Sequence, residues 1–178
     1  MMSNAVQQHW RGNEGFTLLE ILVAVLVLSI GLLGIAGLQV TGLRFNHSAY
    51  ARTQATLLAY ELADRMRANR PTMLPPANSY NIPNVAGGVS VPACETAAGC
   101  TAAQMAQNDV FRWQQRLAQV LPNGQGVVCL DTMPMNDGTP ALPSCNAGGT
   151  AYAIKVWWDD NRTGNPDTFQ RFVVTLTP

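Results

Sequence analysis

The sequence predicts an α+β fold in which a long N-terminal helix packs on a small antiparallel sheet. Apolar residues recur at helical spacing up to about residue 70, and two segments near the C-terminus alternate in side-chain character as strands do. The chain of 178 residues is long enough for one ordinary domain and a short additional segment.

The charge composition disfavours several classes of function. Eleven Lys and Arg side chains balance eleven Asp and Glu side chains, and charged residues make up only 12% of the chain, about half the usual share of a soluble domain. A net charge of zero argues against nucleic-acid binding by bulk positive charge. Lys155 is the single lysine, which argues against Schiff-base or phosphate chemistry, and we expect no cofactor.

An apolar segment near the N-terminus is long enough to cross a membrane. It opens at Phe16 and continues to about Val40, and residues 21–43 contain no charged side chain. As a helix, about twenty-five residues at about 1.5 Å each span roughly 37 Å, which exceeds the roughly 30 Å of a hydrocarbon core. We predict a transmembrane segment over residues 16–43.

The polar residues 1–15 that precede this segment differ from a conventional secretory signal. Such a signal is basic, has an apolar core of about 7–15 residues and is cut at a small-residue site, whereas this leader has almost no basic excess. A conventional cut is an alternative, because Gly34 and Ala36 offer small residues before Gly37.

Glu20 interrupts the apolar segment and needs a partner. An ionised carboxylate costs about 2.5–3.5 kcal/mol at the membrane centre and less near the interface. No Lys or Arg stands at the neighbouring helical positions, so the partner would be a newly made N-terminal amine or another chain. The alternative is an interfacial carboxylate that faces lipid headgroups.

The helical pattern continues beyond the membrane segment. We expect the helix to end near Arg70, because a residue that precedes Pro avoids helical geometry. Residues 71–100 are rich in Pro, Gly, Ala and Asn and predict an irregular connection. The apolar face of the second half recurs at spacings of three and four residues: Ala51, Ala55, Leu58, Leu62 and Met66.

The remaining residues predict one further helix and a sheet. Thr101 and Gln104 have the form of a capping box that starts a helix of about twenty residues. Its apolar face comprises Met105 or Ala106, then Val110, Trp113, Leu117 and Leu121. Alternating residues predict strands over 151–158 and 168–176, joined by a hairpin loop, and a third strand lies near 127–130, for three or four strands in all.

The four cysteines all follow the apolar segment. An even number of cysteines beyond a membrane anchor favours disulfides in an oxidising compartment. Among the three possible pairings we favour Cys94–Cys100 and Cys129–Cys145, because short loops close at lower entropic cost. The alternative is four reduced, buried thiols.

The loop between the last two strands gathers enough oxygen ligands to suggest calcium. Its acidic residues are Asp159, Asp160 and Asp167. The loop lacks the spacing of an EF-hand and a bidentate Glu, so an acidic hairpin loop is the favoured interpretation and no metal site is predicted.

The residues Gly15-Phe16-Thr17-Leu18-Leu19-Glu20, followed at once by the apolar segment, resemble the leader-cleavage motif of type IV pilins and pseudopilins. Residues 31–70 resemble the minor pilins known as type IV pilus modification proteins, or PilV. The resemblance implies that a prepilin peptidase cuts after Gly15, that Phe16 is N-methylated, and that Glu20 meets the N-terminus of an adjacent subunit. It also implies a pilin-like fold.

The resemblance implies a structural, non-catalytic minor pilin that primes pilus assembly from the inner membrane. Its expected partners are other minor pilins, the major pilin, the prepilin peptidase and the assembly platform. The head would be periplasmic and later part of the fibre or its tip. Alternatives are a type II secretion pseudopilin, a ligand-binding module at a pilus tip and a conventionally exported enzyme. The expected division is a leader, 1–15; a transmembrane and assembly helix, 16–43; the head-packed half of that helix, 44–70; and the head, 71–178.

We predict that the mature chain begins at Phe16. The polar leader ends directly before the apolar segment, so cleavage between Gly15 and Phe16 leaves the whole segment in place. Mass spectrometry of the mature N-terminus measures the cut directly. A mature chain that starts at Gly37, or that retains Met1, would contradict the pilin interpretation.

Overall fold

The structure, a computed structural model, describes residues 15–135, 138–146 and 148–178. Of the predicted leader, residues 1–15, only Gly15 is described, and residues 1–14 lie outside the described residues. The chain divides after Phe45 into two compact units. The predicted division into leader, membrane half, head-packed half and head stays a prediction.

A single helix, α1, runs from Leu18 to Ala68. Thr17 directly precedes the helix, and its hydroxyl accepts a hydrogen bond from the Glu20 amide at 3.2 Å. Glu20 lies in the first turn, where a carboxylate interacts favourably with the helix dipole. In the first unit, every residue from Gly15 to Phe45 is exposed.

In the second unit, one face of α1 forms a wall of the core. Four of its residues are alanines, and the Trp113 indole Nε1 reaches the helix backbone at the Leu58 carbonyl, 2.9 Å away. A short 3-10 helix over Arg70–Met73 follows, so the chain leaves the α-helix just before Pro71, as predicted. The buried face comprises Ala51, Ala55, Leu58, Ala59, Leu62, Ala63 and Met66, which includes all five predicted positions.

The second helix, α2, spans Ala102–Val120, and its first turn has the predicted capping box. The Thr101 hydroxyl accepts from the Gln104 amide at 3.2 Å, while the Gln104 side chain accepts from the Thr101 amide at 3.0 Å. The structure buries Ala106 rather than Met105 in the apolar face. Two polar residues that the apolar pattern did not include, Asn108 and Asp109, are also buried.

Three antiparallel strands form the sheet in the order β1-β2-β3. They are β1, Gln125–Leu130, β2, Tyr152–Trp158, and β3, Gln170–Leu176. One sheet face packs with α1 and α2 into the main core. A long apolar helix packed on a small three-stranded antiparallel sheet confirms the predicted fold class.

The second face of β2 is covered too, which the sequence did not predict. All seven residues of β2 are buried, although their alternation is typical of a strand with one exposed face. A second apolar cluster explains this: Val127, Cys129, Ala153 and Trp157 pack with Val85, Cys145, Phe169 and Val173. Cys145 lies in the segment between β1 and β2, called the covering segment below, and Val85 and Phe169 from two other loops cover the same face.

Both disulfides lie in the second unit. Cys94 bonds to Cys100, and Cys129 bonds to Cys145. This is the pairing that the short loops favour, and it leaves none of the four thiols free. The Cys129–Cys145 bond ties the covering segment to β1.

Lys155 holds the same covering segment from the middle of the sheet. Its ammonium Nζ donates to the Asp131 carboxylate at 2.7 Å and to the carbonyl oxygens of Pro143 and Ser144 at 2.9 and 3.2 Å. Both side chains of the ion pair are fully buried. The only lysine of the chain therefore has a structural role.

We predict that Lys155→Met destabilises the protein strongly. The substitution leaves Asp131 buried without its cation, which costs about 3–5 kcal/mol of unfolding free energy. Denaturant titration of the full chain in detergent, followed by tryptophan fluorescence, measures the loss. The matched control is Arg67→Met, which breaks an exposed ion pair with Asp64 and is expected to cost under about 0.5 kcal/mol. Equal losses in the two variants would contradict the buried-pair explanation.

Candidate functional site

The segment before α1 presents the predicted cleavage site. Gly15 and Phe16 precede the first helical residue, Leu18, so the bond between them is outside the hydrogen-bonded helix. The Phe16 side chain is 80% exposed, and a methyl group placed on Gly15 would have no neighbour within 4 Å. A protease can bind such a bond in an extended conformation without first unwinding the helix.

Glu20 lies next to this site on the same side of the helix. Phe16, Glu20, Ala24 and Leu28 line one shallow apolar groove along α1. Within the described residues, the Glu20 carboxylate forms no ion pair. The structure therefore brings Phe16 and Glu20 together, and it leaves the carboxylate available to a cation from outside the described part of the chain.

The first half of α1 is long and apolar enough to cross a membrane, and no part of its apolar window is buried in the protein. Its hydroxyl groups bond within the helix: Ser29 donates to the Val25 carbonyl at 2.7 Å, and Thr41 donates to the Gly37 carbonyl at 3.1 Å. These bonds give each hydroxyl hydrogen an acceptor within the helix, as an apolar environment requires. Glu20 is the one charged group within the predicted span.

Four glycines of this half, Gly31, Gly34, Gly37 and Gly42, have open space beside them. A methyl group added at any of them would meet no atom of the described chain within 4 Å. Internal packing therefore does not require these glycines. Small residues at such positions permit close approach of another helix within a membrane.

Polar residues of α1 and α2 form a partly exposed network with Tyr80, which lies in the connection between the two helices. Arg65 donates to Glu61 at 2.9 Å and to Asp109 at 3.1 Å, and the Tyr80 hydroxyl donates to Asp109 at 2.9 Å. Partial burial opposes ionisation of Arg65, but its hydrogen bonds to Glu61 and Asp109 raise its pKa overall. Burial, with the Asp109 carboxylate nearby, raises the pKa of Tyr80, so its hydroxyl remains a donor. The network joins the two helices.

The loop between β2 and β3 does not gather its three aspartates into a metal site. The buried Asp159 carboxylate accepts hydrogen bonds from the amides of Gly164 at 2.7 Å and Thr163 at 3.1 Å. Burial alone would raise the pKa of Asp159, but these bonds and one from the Asn123 side chain lower it. Among the described residues no three His, Cys, Asp or Glu side chains lie together so that they could hold a metal ion, so Asp160 and Asp167 do not join Asp159 in such a group.

The chain has two histidines, and the structure describes His47. His9 lies outside the described residues, and the His47 ring nitrogen bonds to Arg162 of the β2–β3 loop at 2.9 Å. This contact ties the loop to α1 within the second unit.

Two family models match the chain. A model described as the prokaryotic N-terminal methylation motif matches residues 10–36 and contains Gly15, Phe16 and Glu20. A model described as Type IV pilin Tt1218 matches residues 37–111. No curated protein and no solved structure matches the chain. The matches support a type IV pilin and do not distinguish the PilV kind from other pilins.

We predict that Asp159→Asn lowers stability at neutral pH and loses this effect in acid. Because the folded-state pKa is depressed, the carboxylate stabilises the protein fully above its unfolded pKa of about 3.9, and this contribution disappears as pH falls through the folded value. Unfolding free energies measured from pH 7 to pH 2 should show the wild-type advantage shrinking below about pH 4. Asp160→Asn removes a neighbouring charge as the control and should keep wild-type stability at pH 7. A wild-type advantage that persists unchanged at pH 2 would contradict the assignment.

Proposed function

Because the chain carries an N-terminal methylation motif and a type IV pilin domain, we propose that it is a minor pilin that helps to prime type IV pilus assembly from the inner membrane. The type IV pilin match supports a pilus subunit, which is a structural role. One observation carries the finer proposal. The cleavage motif directly precedes the solvent-exposed apolar half of α1, and the second half of the same helix packs into a disulfide-bonded head.

The first step is processing by a prepilin peptidase. Cleavage after Gly15 releases the leader, residues 1–15, and leaves a new amine on Phe16, which is then N-methylated. An α-amine is largely protonated near neutral pH, so the processed N-terminus carries a positive charge. Phe16 is exposed beside the first turn of α1, which fits access by a modifying enzyme.

In the second step, the first half of α1 exchanges lipid for protein. Lipid tails are as apolar as the side chains of residues 16–43, so hydrophobicity alone does not drive helices together there. Close packing must supply the gain, and the four open glycines allow it. The same apolar surface then becomes part of the helical interior of a fibre.

The third element is a charge pair at Glu20. The carboxylate makes no ion pair within the described chain, and a neighbouring pilin brings a protonated N-terminus at the same depth in the membrane. An ion pair between the Glu20 carboxylate and this N-terminus would offset the free-energy cost of a charge in the membrane. The pair would form only when the two subunits are correctly aligned along the helix axis. Glu20 would thus set the axial register of assembly.

The disulfides support a periplasmic head. Both bonds lie beyond the apolar segment, and disulfides persist in oxidising compartments. We infer a single-pass inner-membrane protein whose C-terminal head is periplasmic and later enters the fibre or its tip. Its partners would be the major pilin, other minor pilins of which PilV is the kind it resembles, and the assembly platform.

Deletion of the gene separates this function from a role in secretion. Type II secretion pseudopilins share the leader and the apolar helix, so the sequence features alone do not separate the two roles. Surface pili are therefore counted, and secreted proteins are measured, in the same deletion strain. Loss of surface pili with secretion intact, restored by the wild-type gene, is the expected result. Normal piliation with impaired secretion would overturn the proposal in favour of a pseudopilin.

We predict that Glu20→Ala is processed and inserted normally but fails to associate. The substitution removes a charge that is costly in lipid, so membrane fractionation and leader cleavage should match wild type. Cross-linking to other pilins should fall about tenfold or more, which corresponds to about 1.4 kcal/mol of lost coupling.

Ser29→Ala is the matched control within the same apolar half. Its hydroxyl bonds only to the Val25 carbonyl of its own helix, so its removal should leave cross-linking at the wild-type level. If Glu20→Ala cross-links and supports surface pili as well as Ser29→Ala does, Glu20 is an interfacial residue and sets no register.

A further inference from the structure

The sheet register shows which backbone groups of β3 face away from the sheet. The Asp131 amide donates to the Ala151 carbonyl at 3.1 Å, so odd-numbered residues of β2 bond to β1 and even-numbered ones bond to β3. The pairing of Tyr152 with Leu176 then assigns the even-numbered residues of β3 to β2. The N–H and C=O groups of Val173 and Thr175 therefore point to the outer edge.

The two outer edges of the sheet differ. At the β1 edge, Ile82 exchanges both backbone hydrogen bonds with Val128, at 2.7 and 3.3 Å. At the β3 edge, the outward backbone groups of Val173 and Thr175 have no hydrogen-bond partner among the described residues. Within the part of the chain that the structure describes, one edge is thus covered and the other is open.

The open edge carries little of the usual protection against strand pairing. Edge strands are commonly blocked by charged side chains, Pro or a bulge. Over its seven residues β3 has no Pro and no bulge, and its one charged side chain, Arg171, bonds to the Met135 carbonyl near the start of the strand. Its inward face carries the half-buried Phe172, which packs against the main core. An added strand could extend that core with an apolar side chain beside Phe172.

A small basic cleft lies at the C-terminal end of β3. Its volume is about 240 Å³, and it is lined by Arg67, Arg70, Met73, Thr177 and Pro178. Arg67 pairs with Asp64, whereas the Arg70 guanidinium forms no hydrogen bond or ion pair with any described residue. The unpaired guanidinium would complement a carboxylate on a segment that runs along β3.

We propose that the open edge of β3 binds an extended segment from the head of another pilin by strand addition. The backbone of that segment would bond to Val173 and Thr175, and its alternate side chains would be apolar where they meet Phe172. A carboxylate near its end would pair with Arg70. The inference rests on the proposed function, because it takes its partner from the pilin assembly.

Thr175→Pro and Thr175→Ala form the test pair. Proline removes the outward N–H, which β2 does not use, so the sheet keeps its own ladder while the added strand is blocked. Alanine keeps the N–H and changes only an exposed side chain. Cross-linking of the full chain to other pilins in membranes should fall about tenfold or more for Thr175→Pro and stay within about twofold of wild type for Thr175→Ala. Thermal melting of the full chain confirms that both variants fold.

Hydrogen exchange provides a second measurement that does not depend on a substitution. In the isolated full chain, the amides of Val173 and Thr175 should exchange faster than those of their even-numbered neighbours. In the complex with other pilins they should become protected. Complex formation without new protection, or with Thr175→Pro as competent as Thr175→Ala, would overturn the strand addition and leave the minor-pilin role standing. Absence of any complex with pilins would overturn both.

Discussion

The architecture depends on burial of one face of α1 beyond residue 50. On that face, the Trp113 indole Nε1 of α2 donates to the Leu58 backbone carbonyl at 2.9 Å. This buried contact joins residues 55 positions apart and fixes the spacing of the two helices. The sheet packs against the other side of the core. Arg65, Asp109 and Tyr80 form hydrogen bonds with one another at the edge of this core.

The N-terminal half of α1, unlike the second half, is not buried by any described part of the chain. From Gly15 to Phe45 every residue is exposed, and each bare Leu or Ile forgoes about 1.5–3 kcal/mol of transfer free energy in water. Only lipid or other apolar helices remove that cost, and neither relieves the charge on Glu20. The proposed pilin role would meet both demands, because a neighbouring subunit would supply an apolar helix and a protonated N-terminus together.

Local patterns carried most of what the sequence could predict. The Thr101–Gln104 box and the 3–4 spacing from Ala51 to Met66 depend on neighbours within one helix, so they could be recognised without the fold. Burial of Asp109 and of Lys155 depends on Tyr80, Asp131 and the Pro143–Ser144 carbonyls, which are distant in sequence. Gly15, Phe16 and Glu20 could be proposed as site residues because their motif is continuous in sequence. The open edge of β3 could be recognised only from the register of all three strands.

The claim that one apolar surface serves lipid first and protein later can be tested with a photoreactive residue at Leu26. This position is exposed within the apolar half and lies away from the cleavage site. In cells that lack other pilins, the probe should cross-link to phospholipid. In cells with the complete machinery, it should cross-link to the helix of another pilin. Lipid adducts alone under both conditions would contradict the exchange and leave the segment as a membrane anchor.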